Sequence, residues 1–187
     1  MTDNNDTDGD HTDLEILVFG DEDDTAEDNE PVAVGIADYA VTDQGQPLST
    51  SGLGSCLAVV VHDADAGVNG LLHCMLPVAA ESPGEHDAEA KFADTGIETM
   101  LESFRAAGGD PSRSWAKMAG GASMIEFSSS APSIGERNAD AARATLEAHG
   151  VSLEGADVGG QSGRAVVFDP VTGELTVTSP TGDGKDL

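Results

Sequence analysis

Two reactive side chains bracket one apolar hairpin in this chain. Cys56 closes the stretch Thr50-Ser-Gly-Leu-Gly-Ser-Cys56, and His73 lies within Gly70-Leu-Leu-His-Cys-Met-Leu-Pro77. A thiol beside an imidazole makes a nucleophile pair. The ring takes the thiol proton as sulfur attacks and returns it to the leaving group. Gly52 and Gly54 read as a flexible loop able to turn backbone N–H groups inward, which makes Gly54 and Ser55 candidate oxyanion donors. Each residue also has a plainer reading. Cysteine is among the most buried residue types, and a histidine on an apolar strand is commonly a hydrogen-bonded core residue. Spacing alone leaves both readings open, because Cys–His sites are assembled in space.

The elements that must position the pair follow from the pattern around them. Leu57 to Val61 is a β-branched run that reads as a buried strand. Residues 62–67, His-Asp-Ala-Asp-Ala-Gly, are turn chemistry, and Val68 to Leu76 reads as the returning strand. Cys74, next to His73, then faces the opposite side and belongs to the core. Ser55 has no G-x-S-x-G elbow around it. Cys56, His62, His73 and Cys74 lack the spacing of a zinc site, and the glycine pairs 120–121 and 159–160 lack phosphate-loop context. No metal or cofactor is expected.

This stretch resembles the CheD family, the chemotaxis proteins that deamidate glutamines of chemoreceptors. The family pattern T-L-G-L-G-S-C, then H-x-M-L-P, is matched by Thr50, Gly52, Leu53, Gly54, Ser55 and Cys56, then by His73, Met75, Leu76 and Pro77. Ser51 departs from it. Further matches follow in order: F-A-D-T (92–95), A-G-G-A-S-M (119–124), I-G-E-R-N (134–138) and G-G-Q-S-G-R-A-V (159–166). The resemblance implies a thiol-dependent amidohydrolase with Cys56 as nucleophile, His73 as proton carrier and Thr50 as the group that orients the histidine. It also implies two packed β-sheets with helices over one face, an architecture related to bacterial toxin deamidases. Its implied partners are the cytoplasmic helices of a chemoreceptor and a CheC-type phosphatase. Hydrolysis of receptor methyl esters is a further implied activity. A second class of function, a binding module for that phosphatase or the receptor, remains beside the enzymatic one. Arg137 and Arg164 fall in matched motifs and read as structural ion pairs or substrate contacts.

The chain has 187 residues, enough for one domain, with 35 acidic residues against 8 basic and a formal charge of −27. So negative a surface argues against nucleic acid and anionic membrane as partners. It also suggests a protein built for a high-salt cytoplasm. Two cysteines make no disulfide framework. No apolar run has membrane length and no signal peptide is visible, so a cytoplasmic location without membrane insertion is expected.

Residues 1–31 carry thirteen acidic residues, and no Lys or Arg precedes Lys91. They read as a disordered extension interrupted by the β-prone run Leu14 to Gly20, with the catalytic-type domain spanning 32–187. Val32 to Val41 alternates as a first strand. Phe92, Ile97, Met100, Leu101 and Phe104 recur at helical steps within about Ala88 to Ala107, and a second helix runs from Gly135 to His149. Short strands are expected at Trp115 to Ala119, Leu153 to Val158, Arg164 to Phe168 and Glu174 to Thr178. Antiparallel-looking strands with two intervening helices make the class α+β.

Overall fold

The computed structural model describes residues 30–82, 88–123 and 131–187. The Leu14 to Gly20 run and most of the acidic extension lie outside the described residues. Ten strands form two five-stranded sheets. The first sheet has the order β1 (Val32–Ala33), β3 (Leu48–Leu53), β8 (Arg164–Asp169), β9 (Glu174–Thr178) and β10 (Gly184–Asp186). The second has the order β2 (Asp38–Thr42), β5 (Val68–Cys74), β4 (Leu57–Asp63), β6 (Trp115–Gly120) and β7 (Ser152–Val158). Two helices, α1 (Ala93–Ala106) and α2 (Ile134–Ala148), complete the fold.

The second sheet is the middle layer. Ala58, Val60, Leu71 and Ala119 pack against Leu48, Val166, Phe168 and Leu175 of the first sheet. On its other face, Val59, Val61, Leu72 and Met118 meet Ile97, Met100, Leu101 and Phe104 of α1 and Ala142 and Leu146 of α2. This explains why β4 and β5 are buried at every position instead of alternating: both of their faces are covered. Each large side chain fully buried there contributes about 1.5–3 kcal/mol. The α+β sandwich with helices on one face is thus the observed architecture.

Three expectations need correction. Val32 to Val41 is not one strand but two, in different sheets: β1 runs parallel to β3, while β2 runs antiparallel to β5. The chain turns between them, with Ala37 at φ 56° and Ile36 exposed rather than inward. Alternation there reflected two short segments, one for each sheet. The first helix starts at Ala93, because Phe92 is extended (φ −108°, ψ 147°) and bridges Leu76. Residues Glu89–Lys91 form only a short 3-10 turn before it. Finally, Thr50 and Gly52 sit in strand β3, not in a loop, and the register shifts between Thr50 and Leu53.

Two neighbouring pairs are parallel, β1 with β3 and β6 with β7, the latter joined through α2. Ser133 caps α2 in a reciprocal box with Glu136, each side chain reaching the other's backbone N–H.

Candidate active site

Register brings the reactive residues to one face. His73 pairs directly with Ala58, and paired residues project to the same side of a sheet. Cys56 lies two residues before Ala58 and packs with the inter-sheet cluster that includes Leu53 and Ala58. Its place just before the β4–β5 ladder sets it on the side of the sheet that carries His73. Cys74 projects to the opposite, helix-covered cluster, with its thiol directed at the Leu57 carbonyl at 3.5 Å.

Thr50 comes from the other sheet and closes on His73. Its hydroxyl donates to the Val34 carbonyl at 2.8 Å, and its oxygen lies 2.8 Å from Nδ1 of His73. A hydroxyl has one proton to give, so Thr50 accepts from Nδ1–H. The ring is then the tautomer whose lone pair is on Nε2. That atom is buried without a hydrogen-bond partner, so no bond joins it to the thiol here. Such contacts commonly tighten only when substrate arrives.

Burial acts on both groups in the direction of neutrality. It pushes the Cys56 thiol up from its ordinary range, opposed in part by the residue's own backbone N–H. It pushes His73 down. Both shifts favour the uncharged forms, a thiol and an imidazole, over a preformed ion pair. Cys74 is pushed by burial to about 12 and is no nucleophile.

The stretch around Cys56 is held through its carbonyls. Gly54 O accepts from Ala122 N–H at 2.7 Å, and Cys56 O accepts from Gly121 N–H at 2.8 Å. Gly120 (φ 116°) and Gly121 (φ 62°) permit this approach, since a Cβ on Gly120 would collide with the Cys56 carbonyl and one on Gly121 would stand 2.8 Å from the Gly135 carbonyl. The Gly54 N–H turns back to Gly52 O at 3.0 Å. Among the described residues, the N–H groups of Ser55 and Cys56 meet no backbone carbonyl. Gly54, expected as an oxyanion donor, thus has its N–H engaged within the turn.

A family model described as CheD chemotactic sensory transduction matches residues 75–179. A relative from Haloarcula marismortui, named a probable chemoreceptor glutamine deamidase CheD, is 45% identical over 84% of this chain and 90% of its own length. The chain belongs to the CheD family. A Natronomonas pharaonis relative with the same name is 41% identical over 85% of this chain and 94% of its own length. The Thermotoga maritima chemoreceptor glutamine deamidase CheD is 40% identical over 82% of this chain and 94% of its own length. Among solved structures, Bacillus licheniformis YfiH aligns at a TM-score of 0.45 and 12% identity over 74% of this chain and 62% of that one, a likeness too slight to bear on function.

The remaining family motifs tie down neighbouring segments. In F-A-D-T, the backbone N–H of Ala93 binds Leu76 O at 2.8 Å, and the Asp94 carboxylate accepts from Ala79 N–H at 3.1 Å, pinning the segment that follows His73. Arg164 lies against Asp157 at 2.8 Å and donates to the Gly159 carbonyl at 2.9 Å, holding the turn after β7. Arg137 pairs with Glu81 and so ties α2 to residues 78–82. One site residue escaped the sequence reading. Asn138, the last residue of I-G-E-R-N, donates to the carbonyls of both Ser55 and Met75. Its signals were its place in that matched motif and an amide on the buried face of an amphipathic helix. A cavity of about 500 Å³ lined in part by His62, Asn69 and Trp115 lies at the far end of β4, away from Cys56.

Among the described residues, no group of three or more His, Cys, Asp or Glu side chains is placed to hold a metal ion. No helix of the described residues is long and apolar enough to cross a membrane.

Proposed function

We propose that this chain deamidates glutamine side chains of chemoreceptors with Cys56 as nucleophile, His73 as proton carrier and Thr50 as the group that fixes the imidazole. The observation that carries the reading is the Thr50–His73 hydrogen bond, which leaves the Nε2 lone pair free on the face shared with Cys56. Relatives with 40–45% identity bear the name of a chemoreceptor glutamine deamidase, which supplies the substrate class.

The reaction balances as follows. The Cys56 sulfur attacks the carboxamide carbon while the thiol proton passes to Nε2 of His73. The oxyanion takes hydrogen bonds from the N–H groups of Ser55 and Cys56. Collapse forms a thioester and breaks the C–N bond, and the proton on Nε2 goes to the departing nitrogen, which leaves as ammonia. Water then attacks the thioester with His73 as base. The products are glutamate and free Cys56. Because Thr50 holds Nδ1–H, the imidazolium formed at each step stays oriented.

The test is mass spectrometry of a chemoreceptor cytoplasmic fragment incubated with the protein. Wild type should convert specific glutamines to glutamate, and Cys56→Ala and His73→Ala should not. Full conversion by His73→Ala would overturn the mechanism. A CheC-type phosphatase is a second proposed partner. Its binding should survive Cys56→Ala, which separates docking from catalysis.

A further inference from the structure

The β4–β5 ladder ends at the pair Leu57–Cys74. Cys56 is the first residue outside it, so strand pairing does not fix the sulfur relative to His73. One side-chain amide continues the ladder. Asn138, fully buried on α2, directs Nδ2 at Ser55 O (2.8 Å) and Met75 O (2.9 Å), one residue before Cys56 and two after His73. Two carbonyls facing the same nitrogen fix the amide's orientation, because a flipped amide would set its oxygen against both. The price is Oδ1, buried without a partner. An acceptor left so costs about 1–3 kcal/mol. No shorter side chain offers two N–H donors from one atom, and the acceptor comes with them.

We propose that Asn138 is a positioning residue for the reaction, a side-chain rung that ties the Cys56 stretch to the continuation of the His73 strand so that sulfur and Nε2 can close to proton-transfer distance when substrate binds. The inference rests on the Cys56–His73 reading above. The other ties on the stretch come from residues 121 and 122 beyond β6 and fix it to that strand's extension. Asn138 spans the nucleophile stretch and the continuation of the histidine's own strand. A displacement of about 1 Å at such a site can cost about 10²-fold in rate.

Asn138→Ser, which retains one donor, and Asn138→Ala provide the test, both measured in molar potassium chloride. On a receptor cytoplasmic fragment, kcat should fall about 10²-fold for Asn138→Ala and about 10-fold for Asn138→Ser, with KM within about threefold, since a buried amide does not touch substrate. Iodoacetamide labelling of Cys56 against pH should shift in both variants toward the profile of His73→Ala. A lowered melting temperature with wild-type kcat and labelling profile would assign Asn138 to the fold alone and overturn the proposal. So would an Asn138→Ser protein that lacks a cooperative melt. If His73→Ala leaves the labelling profile unchanged, the Cys56–His73 pair itself fails. If His73→Ala moves it and Asn138→Ser does not, the pair stands and only the role of Asn138 falls.

Discussion

The Thr50 hydroxyl proton goes to Val34 O, so the Thr50 oxygen 2.8 Å from His73 Nδ1 accepts from the ring and fixes its tautomer. Thr50→Ala should leave a folded protein whose kcat is about 10- to 10²-fold lower, the ring being free to turn its lone pair away from Cys56. Thr50→Ser keeps the oxygen and should keep most activity. Equal losses in both variants would mean that the methyl packing of Thr50, not its hydrogen bond, is what matters.

The pH profile follows from the two shifts. His73 acts as base only when neutral, and burial lowers its pKa below the ordinary value of about 6.5. Neutral imidazole is therefore favoured through the neutral range, and the acidic limb of kcat/KM should lie below about pH 6.5. Cys56 is shifted upward by burial, so the neutral thiol persists across the same range. An acidic limb above neutrality, tracking thiol ionisation, would replace the concerted route with a preformed thiolate.

How far the sequence went is visible in the same residues. The Cys56 and His73 strands were legible because β4 and β5 are buried on both faces, and a continuous β-branched run records that directly. The switch of sheets between Val34 and Asp38 was not, because two short segments in different sheets produce the same alternation as one strand. The fate of the Gly54 N–H and the reach of Asn138 were equally hidden. The first is a two-residue backbone turn, and the second depends on where α2 comes to rest, against segments more than sixty residues away.

Gly120 is the position where a single methyl should disturb the site most. Its φ is 116°, and a Cβ would collide with the Cys56 carbonyl, which no rotamer change relieves. Gly120→Ala should cost at least about 1–3 kcal/mol and displace the nucleophile stretch. Gly45, at φ 71° with open space around it, isolates the backbone strain. Denaturant melts and activity of Gly120→Ala against Gly45→Ala decide the matter. Similar losses of stability, with activity intact in both, would show that the Cys56 contact tolerates displacement.

Charge sets the last expectation. Eight cations stand against 35 carboxylates, for a formal −27. Self-repulsion opposes the compact state, and the same negative field favours the protonated imidazole of His73. At about 0.1 M salt the Debye length is ~10 Å, long enough for neighbouring carboxylates to act on one another, whereas at ~1 M it is ~3 Å. Activity should rise steeply with potassium chloride. Refolding should dominate that rise, because repulsion sums over the whole surface while the site feels only nearby charges. A direct effect on the site has a separate signature. It moves the acidic limb of the rate profile to lower pH with added salt, over a range in which near-ultraviolet dichroism stays constant. Activity and dichroism followed together from low to molar potassium chloride distinguish the two. Full activity with a native spectrum at low salt would remove the high-salt adaptation altogether and leave the acidic surface to be explained by its partners.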